Sequence, residues 1–206
     1  MNREFAFPGT RARWAPDRVV NIRHLALDLT VDPDKRSVAG TVTLRASVIA
    51  ADTRAVELDA VELTIDRVTV GGAAAGFRHD GKKLRVELPG PAATGAELVI
   101  AVAYRGAPRR GLYFIAPDDA YPHKPVQVWS QGQDEDSRYW FPCFDAPNEK
   151  ATSELTVTVP AKLFAVSNGT LVSDRTDGDH RTLHWRLDVP HSCLLIINRD
   201  VIRISV

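Results

Sequence analysis

The sequence LALDLTVDPDKRSVAGTVTLRA, residues 25–46, carries apolar side chains at nearly every second position on both sides of a polar turn. The apolar positions are Leu25, Leu27, Leu29 and Val31, followed by Val38, Val42, Leu44 and Ala46. This period of two puts apolar side chains on one face of an extended strand, whereas a helix would repeat about every 3.6 residues. Between the runs, Pro33, Asp34 and Lys35 favour a tight turn. The stretch therefore predicts two long antiparallel strands joined as a hairpin.

The same alternation continues along most of the chain. Further runs lie at residues 56–58, 63–70, 84–88, 98–104, 126–128, 155–159 and 183–189. No stretch repeats with the period of a helix, so we expect about ten to twelve strands. Strands joined by turns must each bury one face against another sheet. The predicted fold is therefore all-β, a saddle-like antiparallel β-sandwich, in a single domain spanning residues 1–206.

Two polar segments predict additional hairpin turns. The sequence GFRHDGK, residues 76–82, is close to the G-x-x-x-x-G-K pattern of a phosphate-binding loop. Position 83 is a lysine instead of the Ser or Thr that would bind magnesium, and the residues after it alternate as a strand where a helix is needed. We therefore expect a hairpin turn at residues 80–82. Ser167, Asn168 and Gly169 have the same turn chemistry and predict another hairpin.

The composition excludes several classes of partner. The 26 Lys and Arg residues balance the 26 Asp and Glu residues, so the basic excess typical of nucleic-acid-binding proteins is absent and no nucleic-acid partner is expected. The aliphatic run at residues 194–197 is far shorter than the about 20 apolar residues of a membrane span, so no membrane partner is expected. Two cysteines, Cys143 and Cys193, are expected as buried thiols, not as a bridge. This favours a cytoplasmic location, with secretion of a longer parent protein left open.

The histidines and acidic residues predict no metal site in this chain. His180 and His184 have the i, i+4 spacing of zinc ligands on a helix, but in a strand four residues span about 13 Å, which is too far for one ion. His191 and Cys193 would supply only two ligands. The acidic run at residues 134–136 lacks the further oxygen ligands of a calcium loop. We expect it to be a solvated turn that pairs with arginines.

Residues 126–160, VQVWSQGQDEDSRYWFPCFDAPNEKATSELTVTVP, differ from the rest of the chain. Large aromatic side chains, among them Trp129, Tyr139, Trp140 and Phe141, are interleaved with amides and carboxylates. Such a segment is ordered only if its rings pack and its polar groups find hydrogen bonds. Ordered polar loops on a β scaffold are frequent binding sites, which is one interpretation. The other is a buried crossover that plugs one end of the sandwich.

Within this segment, SQGQ at residues 130–133 is followed by RYWFPCFDAP at residues 138–147 and KAT at residues 150–152. These motifs resemble the N-terminal domain signature of the M1 zinc aminopeptidases, the aminopeptidase N-like family. The flanking segments, including GLYF at residues 111–114, follow in the order of that family. The resemblance covers about residues 18–192, with residues 1–17 as an N-terminal extension and residues 192–206 as an atypical tail.

The resemblance implies a saddle-shaped β domain that precedes a zinc-binding catalytic domain. It implies that Gln131 lines the pocket for the first side chain of a peptide and that Gln133 helps to hold its free α-amino group. Hydrogen bonds that merely fix the loop are the alternative for both amides. Arg138 and Asp145 are expected to brace the loop as a pair, and Pro142 is expected to fix its path. Most family members have Glu where this chain has Gln133, so we expect amine anchoring to be weaker by about tenfold.

The family's catalytic motifs, G-x-M-E-N and H-E-x-x-H, do not occur in the 206 residues. We therefore expect no catalytic residue and no metal ligand here, and a chain that is inactive alone. The expected function is substrate anchoring in an enzyme that removes N-terminal residues from peptides, with zinc in the catalytic domain of the parent protein. The expected partners are that missing domain and a peptide N-terminus. The alternatives are a non-catalytic M1-like scaffold or interaction module and, less specifically, an unrelated carbohydrate- or protein-binding sandwich.

Overall fold

The computed structural model describes Gly9 and residues 17–146, 148–191 and 203–205. In chain order, the strands are β1 (Val20–Asp32), β2 (Ser37–Val48), β3 (Thr53–Asp59), β4 (Thr64–Val70), β5 (Ala73–Ala74), β6 (Phe77–His79), β7 (Lys83–Ala92), β8 (Glu97–Gly106), β9 (Leu112–Ile115), β10 (Gln127–Ser130), β11 (Ala151–Pro160), β12 (Phe164–Val166), β13 (Thr170–Asp177), β14 (His180–His191) and β15 (Arg203–Ser205). One 3-10 helical turn, Ser137–Tyr139, lies between β10 and β11, and these residues contain no α-helix.

The all-β prediction is confirmed, although the described residues contain more strands than the about ten to twelve expected from periodicity. The additional strands are short: β5 has 2 residues, and β6 and β12 have 3 each. A strand of this length is too short to show an alternating pattern in the sequence. Its pairing partners, and not its own composition, define it.

Three sheets build the described part of the chain. An eight-stranded sheet has the order β13-β14-β11-β1-β2-β8-β4-β5, a four-stranded sheet the order β12-β15-β10-β9, and a three-stranded sheet the order β3-β7-β6. Leu27 of the first sheet, Val128 of the second and Leu84 of the third are buried in one apolar cluster. The three sheets therefore share a single core, which hydrophobic burial stabilises.

Strands β1 and β2 form the hairpin predicted from residues 25–46. Leu27 pairs with Val42, and the two side chains are 3% and 0% exposed. At the turn, Asp32 Oδ1 accepts hydrogen bonds from the backbone N–H groups of Asp34 at 3.1 Å and Lys35 at 3.0 Å. An aspartate that accepts from the backbone two and three residues later closes a turn without help from the rest of the protein.

One strand pair in the large sheet departs from antiparallel order. Strands β1 and β11 run parallel, with Leu27 opposite Leu155. A hairpin forces its two strands to be antiparallel, but β1 and β11 are separated by nine intervening strands. No local turn sets their relative direction, so sequence alternation could not reveal it.

The hairpin predicted at Ser167, Asn168 and Gly169 is wrong. The chain turns there, but β12 pairs with β15 in the four-stranded sheet, whereas β13 pairs with β14 in the large sheet. The hairpin in this region is β13–β14, which turns at Gly178 and Asp179. Turn residues show where a chain reverses direction; they do not specify which strands pair across it.

Other local predictions have clear outcomes. The turn at residues 80–82 joins β6 to β7 as expected, and Asp80 Oδ1 accepts from the N–H of Lys82 at 2.8 Å. His180 and His184 lie on strand β14, as predicted. Pro147, Cys193, residues 1–8 and 10–16 of the N-terminal extension and residues 192–202 and 206 of the tail lie outside the described residues. Within the described part of the chain, we find no helix long and apolar enough to cross a membrane.

Candidate functional site

The two glutamines of the SQGQ motif lie where β10 ends and the long loop begins. Along β10, Val128 and Ser130 are buried at 0% and 1% exposure. Alternation therefore directs Gln131 to the opposite, half-buried face of the sheet. Its backbone N–H donates to the Gly111 carbonyl at 2.8 Å, which extends the β9–β10 ladder by one residue. Gln133, two residues further along, is exposed.

Neither glutamine side chain forms a hydrogen bond with another described residue. An amide that fixed the loop would donate or accept within it. In this structure, the backbone N–H of Gln131 makes the local contact, and the side-chain amide of Gln133 is exposed. The loop-fixing role considered for these two amides is therefore not seen among the described residues.

Gly111 brings the chain before β9 unusually close to the loop. Its φ is +74°, and a Cβ atom at this position would lie 2.0 Å from the Asp136 carbonyl oxygen and 2.8 Å from Trp140 Cδ1. An L-amino acid with a side chain would therefore be strained and would also clash with backbone. The absence of a side chain at Gly111 allows Asp136 and Trp140 of the loop to pack closely against the chain before β9.

Arg138 and Asp145, the predicted brace, are in direct contact. The backbone N–H and the Nε of Arg138 both donate to Asp145 Oδ2 at 3.1 Å. The guanidinium also donates to Glu135 Oε2 at 2.8 Å and to the Asp145 carbonyl at 3.1 Å. The Asp145 side chain is fully buried. Arg138 therefore links Glu135, at the start of the loop segment after the glutamines, to Asp145 near its end.

Asp59, at the end of β3, is a member of this network that the sequence analysis missed. It exchanges two backbone hydrogen bonds with Cys143, at 2.7 and 3.0 Å. Its carboxylate accepts the N–H of Asp145 at 3.1 Å and lies 3.4 Å from the Arg138 guanidinium and 2.9 Å from Lys83 Nζ. Asp59 and Asp145 are 86 positions apart. No local motif connects residues at that separation, and the burial of Asp59, which is unusual for a charged residue, is visible only in the structure.

Burial raises the pKa of Asp145 to about 6, against the hydrogen bonds from Arg138, which favour the charged form. Its Oδ1 atom has no hydrogen-bond partner among the described residues. A buried carboxylate with one oxygen unpaired loses the hydration that stabilised its charge. Asp145 therefore both anchors the loop and makes its stability sensitive to pH.

The two halves of the loop match the two interpretations drawn from the sequence. In residues 140–146 every side chain is buried, including Pro142, and the Trp140 and Phe141 rings pack edge to face at 4.5 Å. In residues 131–136 the side chains are exposed or half-buried. The acidic run pairs partly with arginines: Glu135 with Arg138, and Asp136 with Arg110 at 3.9 Å. The later half plugs the fold, and the earlier half forms the accessible surface.

A second buried carboxylate secures the chain after the loop. Glu149 is 3% exposed, accepts the N–H of Ile22 at 2.6 Å and pairs with Arg18. It links the loop to the start of β1. In the part of the chain that the structure describes, no three His, Cys, Asp or Glu side chains converge as a metal site.

The Peptidase M1 N-terminal domain family matches residues 21–195 of the sequence. This chain belongs to that family. Leukotriene A-4 hydrolase of Xenopus laevis is 27% identical over 193 residues, which cover 89% of this chain and 32% of the relative. Leucine aminopeptidase 2-2 of Scheffersomyces stipitis is 29% identical over 211 residues, covering 97% and 32%. This M1 domain thus spans about a third of the length of these relatives.

A solved structure agrees with the fold. The M1 zinc metallopeptidase of Deinococcus radiodurans superposes with a TM-score of 0.78 at 23% identity, covering 91% of this M1 domain and 42% of that chain. A shorter match is to a protein that is not named as a peptidase. Transcription initiation factor TFIID subunit 2 of Gallus gallus is 38% identical over 87 residues, covering 40% of this chain and 7% of the relative. The family resemblance drawn from the motifs is confirmed.

Proposed function

We propose that this M1 domain is the substrate-anchoring N-terminal domain of a zinc-dependent aminopeptidase, an enzyme that removes N-terminal residues from peptides. The observation that carries the proposal is the division of the loop. Residues 140–146 are buried, and Arg138 and Asp59 hold that half in place. The side chains of Gln131 and Gln133, just before it, make no hydrogen bond to the rest of the described chain.

These amides suit the recognition of a peptide's amino terminus. A protonated α-amino group has three N–H donors and no acceptor, and the amide oxygen of Gln133 is an acceptor on an exposed side chain. An enzyme that requires such a contact discriminates against a blocked amino terminus, because an acylated amino group has lost its positive charge and two of its three N–H donors. Gln131, fixed by its backbone bond to Gly111, would line the pocket for the first side chain.

The bond-breaking chemistry is assigned outside this M1 domain. We propose that the domain is inactive alone, because its sequence contains neither the G-x-M-E-N nor the H-E-x-x-H motif and its described residues provide no cluster of three metal-ligating side chains. Zinc would be held by a catalytic domain, against which this domain packs in the complete enzyme. The cytoplasmic location expected from cysteine usage remains a prediction.

A second candidate is a non-catalytic interaction module. It is favoured by the similarity to a subunit of transcription initiation factor TFIID, which is higher in identity than the peptidase matches but covers only 40% of this chain. In that case the loop would contact a protein partner, and the two glutamines would have no role in peptide hydrolysis.

The test uses the product of the complete reading frame that contains these 206 residues. The kcat/KM values for leucine 7-amido-4-methylcoumarin and its Nα-acetyl derivative are measured in the parent protein and in Gln133→Ala. We expect cleavage of the free amine only, and a raised KM in Gln133→Ala. Gln127→Ala, a half-buried glutamine on β10, is the matched control and should leave KM unchanged.

Three outcomes would count against the proposal. A folded, zinc-loaded product that cleaves neither substrate favours the interaction module. Cleavage of the acetylated substrate at a similar rate contradicts recognition of the amino terminus. Equal effects of Gln133→Ala and Gln127→Ala reject the anchoring role while leaving the enzyme assignment intact.

A further inference from the structure

Two aromatic rings lie side by side on one face of the four-stranded sheet, the same face from which Gln131 projects. Trp129 of β10 and Tyr113 of β9 are directly opposite each other in the antiparallel register. Their ring centroids are 4.6 Å apart and their planes differ by 23°, so the rings stack. Both residues remain half-buried and not fully enclosed. Each ring fixes the orientation of the other, and part of the pair stays accessible.

The stacked pair adjoins the first of the two glutamines. Trp129 and Gln131 are two positions apart, so they project from the same face, about 7 Å apart along the strand. The hydrogen bond from the Gln131 N–H to the Gly111 carbonyl shows that the ladder continues through this position. A group that contacts the side chain of Gln131 is therefore within reach of the Trp129 ring.

The surroundings of the rings on their own strands are uncharged. None of the eight residues in β9 and β10 is acidic or basic, although Arg110, which precedes β9 in the chain, interacts electrostatically with Tyr113. A charged side chain placed against these rings would lose hydration without gaining an ion pair from either strand. A large apolar side chain would instead bury its surface against the rings, which is favourable.

We propose that Trp129 and Tyr113 are specificity-determining residues that form an apolar floor beside Gln131 and select peptides with a large apolar first residue. The inference rests on the proposed function, since it needs a substrate whose first side chain lies at Gln131. It assigns the substrate class: leucyl and phenylalanyl amino termini over alanyl, lysyl and glutamyl ones.

The experiment measures kcat/KM of the complete enzyme for the amidomethylcoumarin derivatives of Phe, Leu, Ala, Lys and Glu. We expect Phe and Leu to be preferred, and we expect Trp129→Leu and Tyr113→Ala to lower the Phe-to-Ala ratio by about fivefold to tenfold. Trp129→Phe keeps a stacked ring and should retain most of the preference. Tyr121→Ala, which removes a 65% exposed ring from the β9–β10 connection, should leave the ratio unchanged.

The results separate this inference from the function beneath it. If hydrolysis persists and Trp129→Leu and Tyr113→Ala slow all five substrates equally, the rings only support the fold and the specificity assignment is overturned, while the proposed function stands. A preference for the glutamyl substrate would also overturn it, because a cation such as Arg110, which interacts electrostatically with Tyr113, would then control selection. Absence of any hydrolysis overturns both. Thermal unfolding of each variant confirms that ratios are compared between folded proteins.

Discussion

The loop at residues 131–146 and the β13–β14 hairpin are each tied by an arginine–aspartate pair, but in opposite environments. Arg138 meets an Asp145 side chain that is fully buried, whereas Arg181 meets an Asp174 side chain that is 30% exposed. All eight residues of β13 are exposed. The hairpin is ordered by its own ladder of hydrogen bonds, so its ion pair adds little. The loop has no ladder of its own and depends on charges and close contacts from distant strands.

The largest expected effect on stability is that of Arg138→Ala, compared with Arg181→Ala in the hairpin. Arg138→Ala removes the cation that pairs with the buried Asp145 carboxylate and leaves Asp59 with Lys83 alone, and breaking such a network costs about 3–4 kcal/mol. Arg181→Ala removes a solvent-screened pair and should cause a much smaller loss. The free energy of unfolding from denaturant titration measures both. Similar losses for the two variants would remove the distinction between the regions.

Substitution of two glycines tests whether the loop depends on close backbone contacts that the hairpin lacks. Gly111→Ala places a methyl group 2.0 Å from a backbone carbonyl and should cost about 3 kcal/mol. At Gly178, in the hairpin turn, φ is +55° but nothing lies within 4 Å of the added carbon, so Gly178→Ala should cost about 1 kcal/mol. The same unfolding measurement applies. A Gly178→Ala loss as large as that of Gly111→Ala would show that backbone conformation, not the contact with the loop, governs both.

The two aspartates should respond to pH with opposite signs. Burial raises the pKa of Asp145 from 3.8 to about 6, so between these values the folded state binds more protons than the unfolded state, and stability falls as pH rises toward 6. The hydrogen bond from Arg181 lowers the pKa of Asp174, so its contribution is present above its ordinary pKa and is lost as pH falls.

The sign expected for Asp145 is checked by the free energies of unfolding of the unsubstituted protein and of Asp145→Asn, measured from pH 4 to pH 7. As pH rises, the free energy of unfolding of the unsubstituted protein should fall by on the order of 2 kcal/mol relative to that of the variant, with little change above pH 7. The Asp174→Asn control should show no such loss in this range. If the unsubstituted protein instead becomes more stable relative to Asp145→Asn as pH rises, the Arg138 hydrogen bonds lower the pKa of Asp145 by more than burial raises it.

Local features of this fold and site were predictable from the sequence. The β1–β2 hairpin follows from alternation around a turn whose Asp32 bonds to its own neighbours. Arg138 and Asp145 stand seven positions apart within one motif, and the structure brings them together. In each case the interacting groups are close in sequence, so residue types and spacing carry the information.

Features that depend on distant chain segments were not predictable. The parallel pairing of β1 with β11 and the separation of β12 from β13 are set by the three-sheet topology, not by turn residues. Asp59 reaches the loop from 86 positions away, and the contact at Gly111 is with a carbonyl group, which every residue possesses. Sequence patterns identify side chains and local geometry; they do not identify which backbones approach each other.

The central claim, that Gln133 binds the amino terminus of a peptide, is tested most directly by Gln133→Glu in the complete enzyme. A carboxylate would replace a neutral acceptor with a charge-assisted one, so we expect KM for leucine 7-amido-4-methylcoumarin to fall by about tenfold. Gln127→Glu, on the preceding strand, controls for a general effect of negative charge and should leave KM unchanged. An unaltered KM in Gln133→Glu, in a folded and active enzyme, would contradict the account.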